Sequence, residues 1–144
     1  MDLIPNTEIQ PLIGSKEGIL HVTLAFVNPG EQVLVPNPGY PTYTSLSKIL
    51  GAEVINYDLK EEDGWMPDFK TLEKMDLSRV KLMWTNYPNM PTGANATPEI
   101  YERLVAFARR KNIVIVNDNP YSFILNAQPI SILSVPGAKD GCVV

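Results

Sequence analysis

Cysteine and histidine are nearly missing from this chain. Cys142 is alone, so neither a disulfide framework nor a cysteine-based zinc site can form within it. His21 is alone too, which argues against a histidine-rich metal site. No apolar run approaches the roughly 20 residues that cross a bilayer. No charged-then-apolar leader opens the sequence, so no secretory signal is expected and a cytoplasmic setting is the default. Basic residues are outnumbered, 12 Lys and Arg against 16 Asp and Glu, and the net charge of −4 gives no support for nucleic-acid binding. The patterns GxxxxGK[ST] and GxGxxG do not occur, which removes the P-loop and the dinucleotide fingerprint. Internal repeats and low-complexity segments are absent as well.

What remains is 144 residues, 44% apolar and 19% charged, the size and balance of one soluble globular domain. Its organising stretch is Asn112 to Tyr121. The apolar run Ile113 to Val116 reads as a strand buried on both faces. It stops at Asp118, with Tyr121 three places on. A carboxylate at the carboxyl end of a buried parallel strand lies where open α/β sheets hold ligands. Such an anion needs a cationic partner, and no Arg or Lys follows within four residues. Either a protonated ring nitrogen of a ligand supplies the charge, or Asp118 merely caps a turn before Pro120.

Strand and helix patterns alternate along the chain. Strands are expected at Glu8 to Ile13 (weakened by Pro11), Gln32 to Val35, Ala52 to Tyr57, Val80 to Thr85, Ile113 to Asn117 and from Cys142 onward. Helices are expected from Lys16 to about Val27, over Thr42 to Leu50, over Asp68 to Met75 and from Pro98 to about Lys111. Ser15 caps the first, with Ile19, Leu20, Thr23, Leu24 and Val27 as its apolar stripe. Thr97 caps the last, with Pro98 at its first position. The alternation predicts a three-layer α/β/α fold with a mostly parallel sheet.

Four βα loops gather at one edge of such a sheet. Gly14-Ser15-Lys16 opens a helix and offers unpaired N–H groups to a phosphate, or is a plain helix cap. Asn37 to Pro41 holds Tyr40, a ring able to stack on a flat ligand or on its own prolines. Tyr87 to Gly93 is a stiff, proline-rich loop with polar groups. The fourth loop carries Asp118 and Tyr121. A flat, phosphorylated, nitrogen-containing aromatic ligand would use all four, and pyridoxal phosphate has that shape.

GSKEG, NPGYPTY, the PTG loop and D-x-x-Y stand in the order and at the intervals of the fold-type I aminotransferases. The chain resembles the large domain of the class I/II group, which includes the aspartate and LL-diaminopimelate enzymes. The resemblance covers nearly all of residues 1–144 and implies one partial cofactor-binding domain. It implies that Ser15 and Lys16 hold the cofactor phosphate, that Tyr40 stacks on the pyridine, that Asp118 pairs with its nitrogen and that Tyr121 bonds its phenolic oxygen. The family's Asn before PTG is replaced here by Met90. Asn89 either takes over that bond or leaves it to Tyr121.

The resemblance also implies what should be missing. The family's Schiff-base lysine lies in a Ser-x-Ser-Lys segment that this chain does not contain, and Lys139 precedes the Cys142 strand in a polar turn. The substrate-binding arginine and the phosphate-binding arginine belong to segments outside the chain. By the family's sheet order, the Glu8–Ile13 strand lies at an edge, two later strands away from the Val80 strand. One of those two begins at Cys142 and the other is absent, so the Glu8–Ile13 strand should be unpaired, displaced or paired with a second copy. The implied activity of the parent is amino transfer between an amino acid and a 2-oxo acid, by a homodimer with pyridoxal 5'-phosphate, with the chain alone inactive and its cofactor binding weak or absent. Two alternatives share the same loops: a fold-type I lyase or decarboxylase, and a non-catalytic domain binding a nucleotide or a protein partner.

Overall fold

Residues 3–124 and 126–144 are described by the computed structural model. At its centre is a five-stranded sheet in the order β2-β1-β3-β4-β5. The strands are β1 (Gln32–Asn37), β2 (Glu53–Asp58), β3 (Val80–Asn86), β4 (Val114–Asp118) and β5 (Cys142–Val143). Every pairing in this sheet is parallel. Parallel neighbours need crossovers. Helix α3 (Pro41–Ile49) joins β1 to β2, α4 (Phe69–Lys74) lies between β2 and β3, and α5 (Pro98–Lys111) joins β3 to β4. Ahead of them come α1 (Pro5–Glu8), a single turn, and α2 (Ser15–Phe26).

The side-chain period of two divides the strands between two cores. Val33, Val35, Leu82, Trp84 and Val116 share one face with Ile19, Val27 and Tyr43 from the α2 and α3 layer. Leu34, Met83 and Ile115 share the other with Leu72, Tyr101, Leu104 and Phe107 of α4 and α5. Each fully buried aliphatic side chain is worth about 1.5–3 kcal/mol, so both faces contribute to holding the sheet. The expected three layers are present.

Helix α5 shows how local signals fix an element. Thr97 accepts a hydrogen bond from the Ile100 N–H at 3.3 Å, Pro98 occupies the first turn, and Asn112 ends the helix at φ 55° in the left-handed region. The last turn carries Arg109, Arg110 and Lys111, which suits the negative end of the helix dipole. Arg110 and Lys111 both reach Glu73 on α4, tying the two helices together.

Several expectations change. Glu8 to Ile13 is unpaired, as expected, but it is not a strand: α1 takes in Glu8, and the chain from Ile9 to Ile13 pairs with nothing in the sheet. Pro11 lacks a ladder donor, and Ile13 is 99% exposed, so no face of that segment is buried. The β3 strand is flanked by β1 and β4, with β5 outside β4, so the expected spacing between the Val80 strand and that edge omitted the Ile113 run. Ser15 does not cap α2. The cap position is Gly14, without a side-chain bond, and Ser15 is the first helical residue. On α2 the inward stripe uses Val22, whereas Leu24 is 56% exposed.

Candidate functional site

Parallel register sets the strand ends level. Asn37 lies beside Asp58, and Asn86 beside Asp118. The loops that follow β1, β3 and β4 therefore leave the sheet at one rim. Asp118 ends β4 half-buried, on the same face as Val116 and Trp84. Its Oδ2 accepts a hydrogen bond from the Tyr43 hydroxyl at 2.7 Å. No Lys, Arg or His among the described residues forms an ion pair with it.

A cavity of about 150 Å³ opens beside this carboxylate. Ser15 and Gly18 from α2 line it on one side, Trp84 and Asp118 from the sheet on the other, with Val143 below. The start of α2 and the end of β4 thus face one space. The Ser15 hydroxyl is bound by no protein group among the described residues. Glu17 reaches back to the Ile13 N–H at 2.8 Å, and the Glu17 N–H bonds the Gly14 carbonyl at 3.1 Å. Those bonds close the turn and leave the Ser15 and Lys16 amides as orphan first-turn donors. Gly14 is extended at φ −173°, and nothing lies within 4 Å of the place a Cβ would take.

Tyr40 and Lys16 stand at the same rim. The Thr42 hydroxyl, and after it the Lys16 ammonium, hold the Tyr40 phenol below its ordinary range, with burial and the Asp118 charge acting against them. Tyr40 meets Tyr43 edge to face at 5.6 Å and 83°. The loop carrying it is tight: a Cβ on Gly39 would sit 2.5 Å from the Pro36 carbonyl oxygen.

Asn89 and Tyr121, the two alternatives beside the PTG loop, are placed differently. Asn89 is 3% exposed, and its Oδ1 accepts from the Thr92 hydroxyl at 2.7 Å. Its main chain exchanges bonds with Gly93 and Ala94 at 2.7 and 2.8 Å. It braces the loop and does not line the cavity. Its amide nitrogen is buried without a partner. Tyr121 instead points its hydroxyl at the Met90 sulfur, 3.5 Å away. The structure therefore brings together Ser15, Lys16, Tyr40 and Asp118, sets Tyr121 against Met90, and turns Asn89 inward. Lys139 does not line this cavity, and its Nζ is 2.5 Å from Glu8.

Two further side chains bonded to Asp118 escape a reading of sequence. Tyr43 is fully buried and touches the acid, yet it reads as one more helical aromatic. Asn86, 2% exposed, donates from Nδ2 to the Asp118 carbonyl at 2.8 Å and accepts the Met90 N–H at 2.6 Å. It ties the acid's backbone to the PTG loop. The signal for Asn86 was a polar residue closing a buried apolar strand, the same signal that marks Asp118.

Among the described residues no helix is long and apolar enough to cross a membrane. The profile of the family described as aminotransferase class I and II matches residues 1–142. The LL-diaminopimelate aminotransferase of Aquifex aeolicus is 49% identical over 142 residues, covering 97% of this chain and 37% of that protein. The LL-diaminopimelate aminotransferase of Dehalococcoides mccartyi strain 195 is 44% identical over 140 residues, covering 96% and 36%. Among solved structures, apo BacF of Bacillus subtilis superposes with a TM-score of 0.90 at 39% identity, covering 99% of this chain and 38% of that one. A probable N-succinyldiaminopimelate aminotransferase of Thermus thermophilus gives 0.91 at 31% identity over 99% of this chain and 38% of its own. The chain thus spans little more than a third of the length of these relatives. With the family profile matched over residues 1–142 and the same fold in these neighbours, the chain belongs to the class I and II aminotransferases.

Proposed function

We propose that residues 1–144 form one partial large domain, the cofactor-receiving part of a pyridoxal-phosphate-dependent aminotransferase that moves an amino group between an amino acid and a 2-oxo acid. The observation that carries this is the shared cavity, lined by Ser15 at the start of α2 and Asp118 at the end of β4.

The residues present fit the group. Asp118 is a half-buried carboxylate without a cationic partner among the described residues, and a protonated ring nitrogen would supply one. The open space at Gly14, the first-turn amides and the free Ser15 hydroxyl suit a phosphate, with the Lys16 ammonium nearby. Tyr40 offers a ring face. Tyr121 offers a hydroxyl held, among the described residues, only by a thioether, a weak acceptor. When bound, pyridoxal phosphate supplies a ring that withdraws electrons from a neighbouring bond. Asp118 holds the proton on the ring nitrogen, Ser15 and Lys16 anchor the phosphate, Tyr40 fixes the ring plane, and Asn89 stiffens the loop behind.

The relatives' names support a diaminopimelate-type amino donor and a biosynthetic role. A homodimer is proposed too, as the resemblance to the family implies. The lone unpaired Cys142 fits the proposed cytoplasmic setting. With Lys139 paired to Glu8, the chain alone is proposed to bind the cofactor only weakly and without turnover.

Titration of the 144-residue chain with pyridoxamine 5'-phosphate, followed by ligand fluorescence, tests the site. The expected result is saturable binding, weakened about tenfold or more by Asp118→Ala, since a lost charge-assisted bond is worth about 1.5–3 kcal/mol. Equal affinity of both proteins, or no saturation, would overturn it.

A further inference from the structure

Tyr43 sits where three features of the site meet. It is fully buried, and its hydroxyl donates to Asp118 Oδ2 at 2.7 Å. Its ring lies parallel to Trp84 of β3, with centroids 4.7 Å apart and planes 5° apart. Tyr40 meets the same ring edge to face at 5.6 Å, and the Tyr43 N–H bonds the Tyr40 carbonyl at 3.2 Å. Resting on the reading of Asp118 and Tyr40 given above, we propose that Tyr43 is the positioning residue of this site, fixing the Asp118 carboxylate and the Tyr40 ring in one arrangement.

A carboxylate at a strand end can turn about two side-chain torsions, and each turn it makes on ligand binding costs entropy. A donor that cannot move holds one oxygen and leaves the other for the cavity. Tyr43 cannot move, because the Trp84 stack clamps its ring from one side and the edge of Tyr40 closes another. Such aromatic pairs add about 0.5–1.5 kcal/mol each beyond burial. Burial, then the charge and hydrogen bond of Asp118, push the Tyr43 phenol well up from its ordinary value, so it remains a donor. The same ring that orients the acid also sets the angle of Tyr40. The two groups assigned to the ligand's ring are therefore held by one side chain.

The test is a double-mutant cycle read by pyridoxamine 5'-phosphate binding to the 144-residue chain. Tyr43→Phe keeps the ring and removes one oxygen. It should weaken binding about tenfold, the worth of one hydrogen bond to a charged group. Circular dichroism of the aromatic region should show the Trp84 stack retained. In an Asp118→Asn background, Tyr43→Phe should change binding by less than about twofold, because its effect passes through the acid. An equal penalty in both backgrounds, or no penalty in either, overturns the assignment of Tyr43 while leaving Asp118 as the ring's partner. If Asp118→Asn itself has no effect, the reading of Asp118 fails, and this one with it. Should Tyr43→Phe not fold, fluorotyrosine at position 43 keeps the shape and alters only donor strength. It should shift the affinity in the Asp118 protein and not in Asp118→Asn, and a shift in both or neither would overturn the assignment.

Discussion

Tyr121 and Met90 meet where the family resemblance puts two donors. The hydroxyl of Tyr121 points at the Met90 sulfur across 3.5 Å, and a thioether can accept weakly but never donate. A ligand oxygen arriving at Tyr121 therefore displaces little, and it gains one bond where the family's Asn would give two. Met90→Asn should strengthen pyridoxamine 5'-phosphate binding by about 2- to 10-fold, the worth of one further hydrogen bond of about 0.5–1.5 kcal/mol. An unchanged dissociation constant would show that position 90 does not face the ligand. At this scale Asp118 and Ser15 were legible because each follows a recognisable local pattern, a buried run that stops and a helix that starts. Tyr43 was not, because its partner lies 75 residues away in sequence and nothing local announces the contact. Asn89 stays open in the sequence for a similar reason: its neighbours say nothing of whether its side chain turns toward the cavity or toward Thr92.

Elements were read best where the caps are chemical. Thr97, Pro98 and Asn112 bound α5 at the expected residues, since each supplies a specific backbone need. The Glu8–Ile13 segment stands unpaired, as the missing neighbour implied, and without a ladder to join it does not take strand form either. The one-residue shift at Ser15 arises because Gly14 takes the cap position without a side-chain bond, while Glu17 holds the turn through the Ile13 N–H ahead of it. The β1–α3 connection makes a prediction of its own. Gly39 lies so close to the Pro36 carbonyl that any Cβ would force the loop apart. Gly39→Ala should destabilise the chain by about 1–3 kcal/mol in urea unfolding, as overpacking does, and should weaken ligand binding by shifting Tyr40. Unchanged stability and affinity would show that the loop yields freely.

Over the whole molecule, exposed carboxylates carry the electrostatic stabilisation. The Lys139 hydrogen bond holds Glu8 below its ordinary 4.5, Arg79 does so for Glu53 and Arg110 for Glu73, while Thr71 lowers Asp68 from 3.8. Each has a folded value below its unfolded one. Its contribution is therefore fully present above the unfolded value and is lost as pH falls through the folded value. These pairs are solvent-exposed and individually small, so they act as a sum and weaken in salt. The midpoint of urea unfolding should be nearly constant from about pH 7 to 5.5 and should fall below about pH 4.5, more steeply at low salt. A midpoint that rises on acidification would contradict this assignment.

The most direct test of the central claim is a ¹⁵N-resolved spectrum of the chain during titration with pyridoxamine 5'-phosphate. The account predicts that the amides of Ser15 and Lys16 at the start of α2 and those of Asp118 and Tyr121 at the end of β4 shift together, along one saturation curve. Shifts at only one of these two ends, or separate curves for the two, would mean that helix and acid do not serve one ligand.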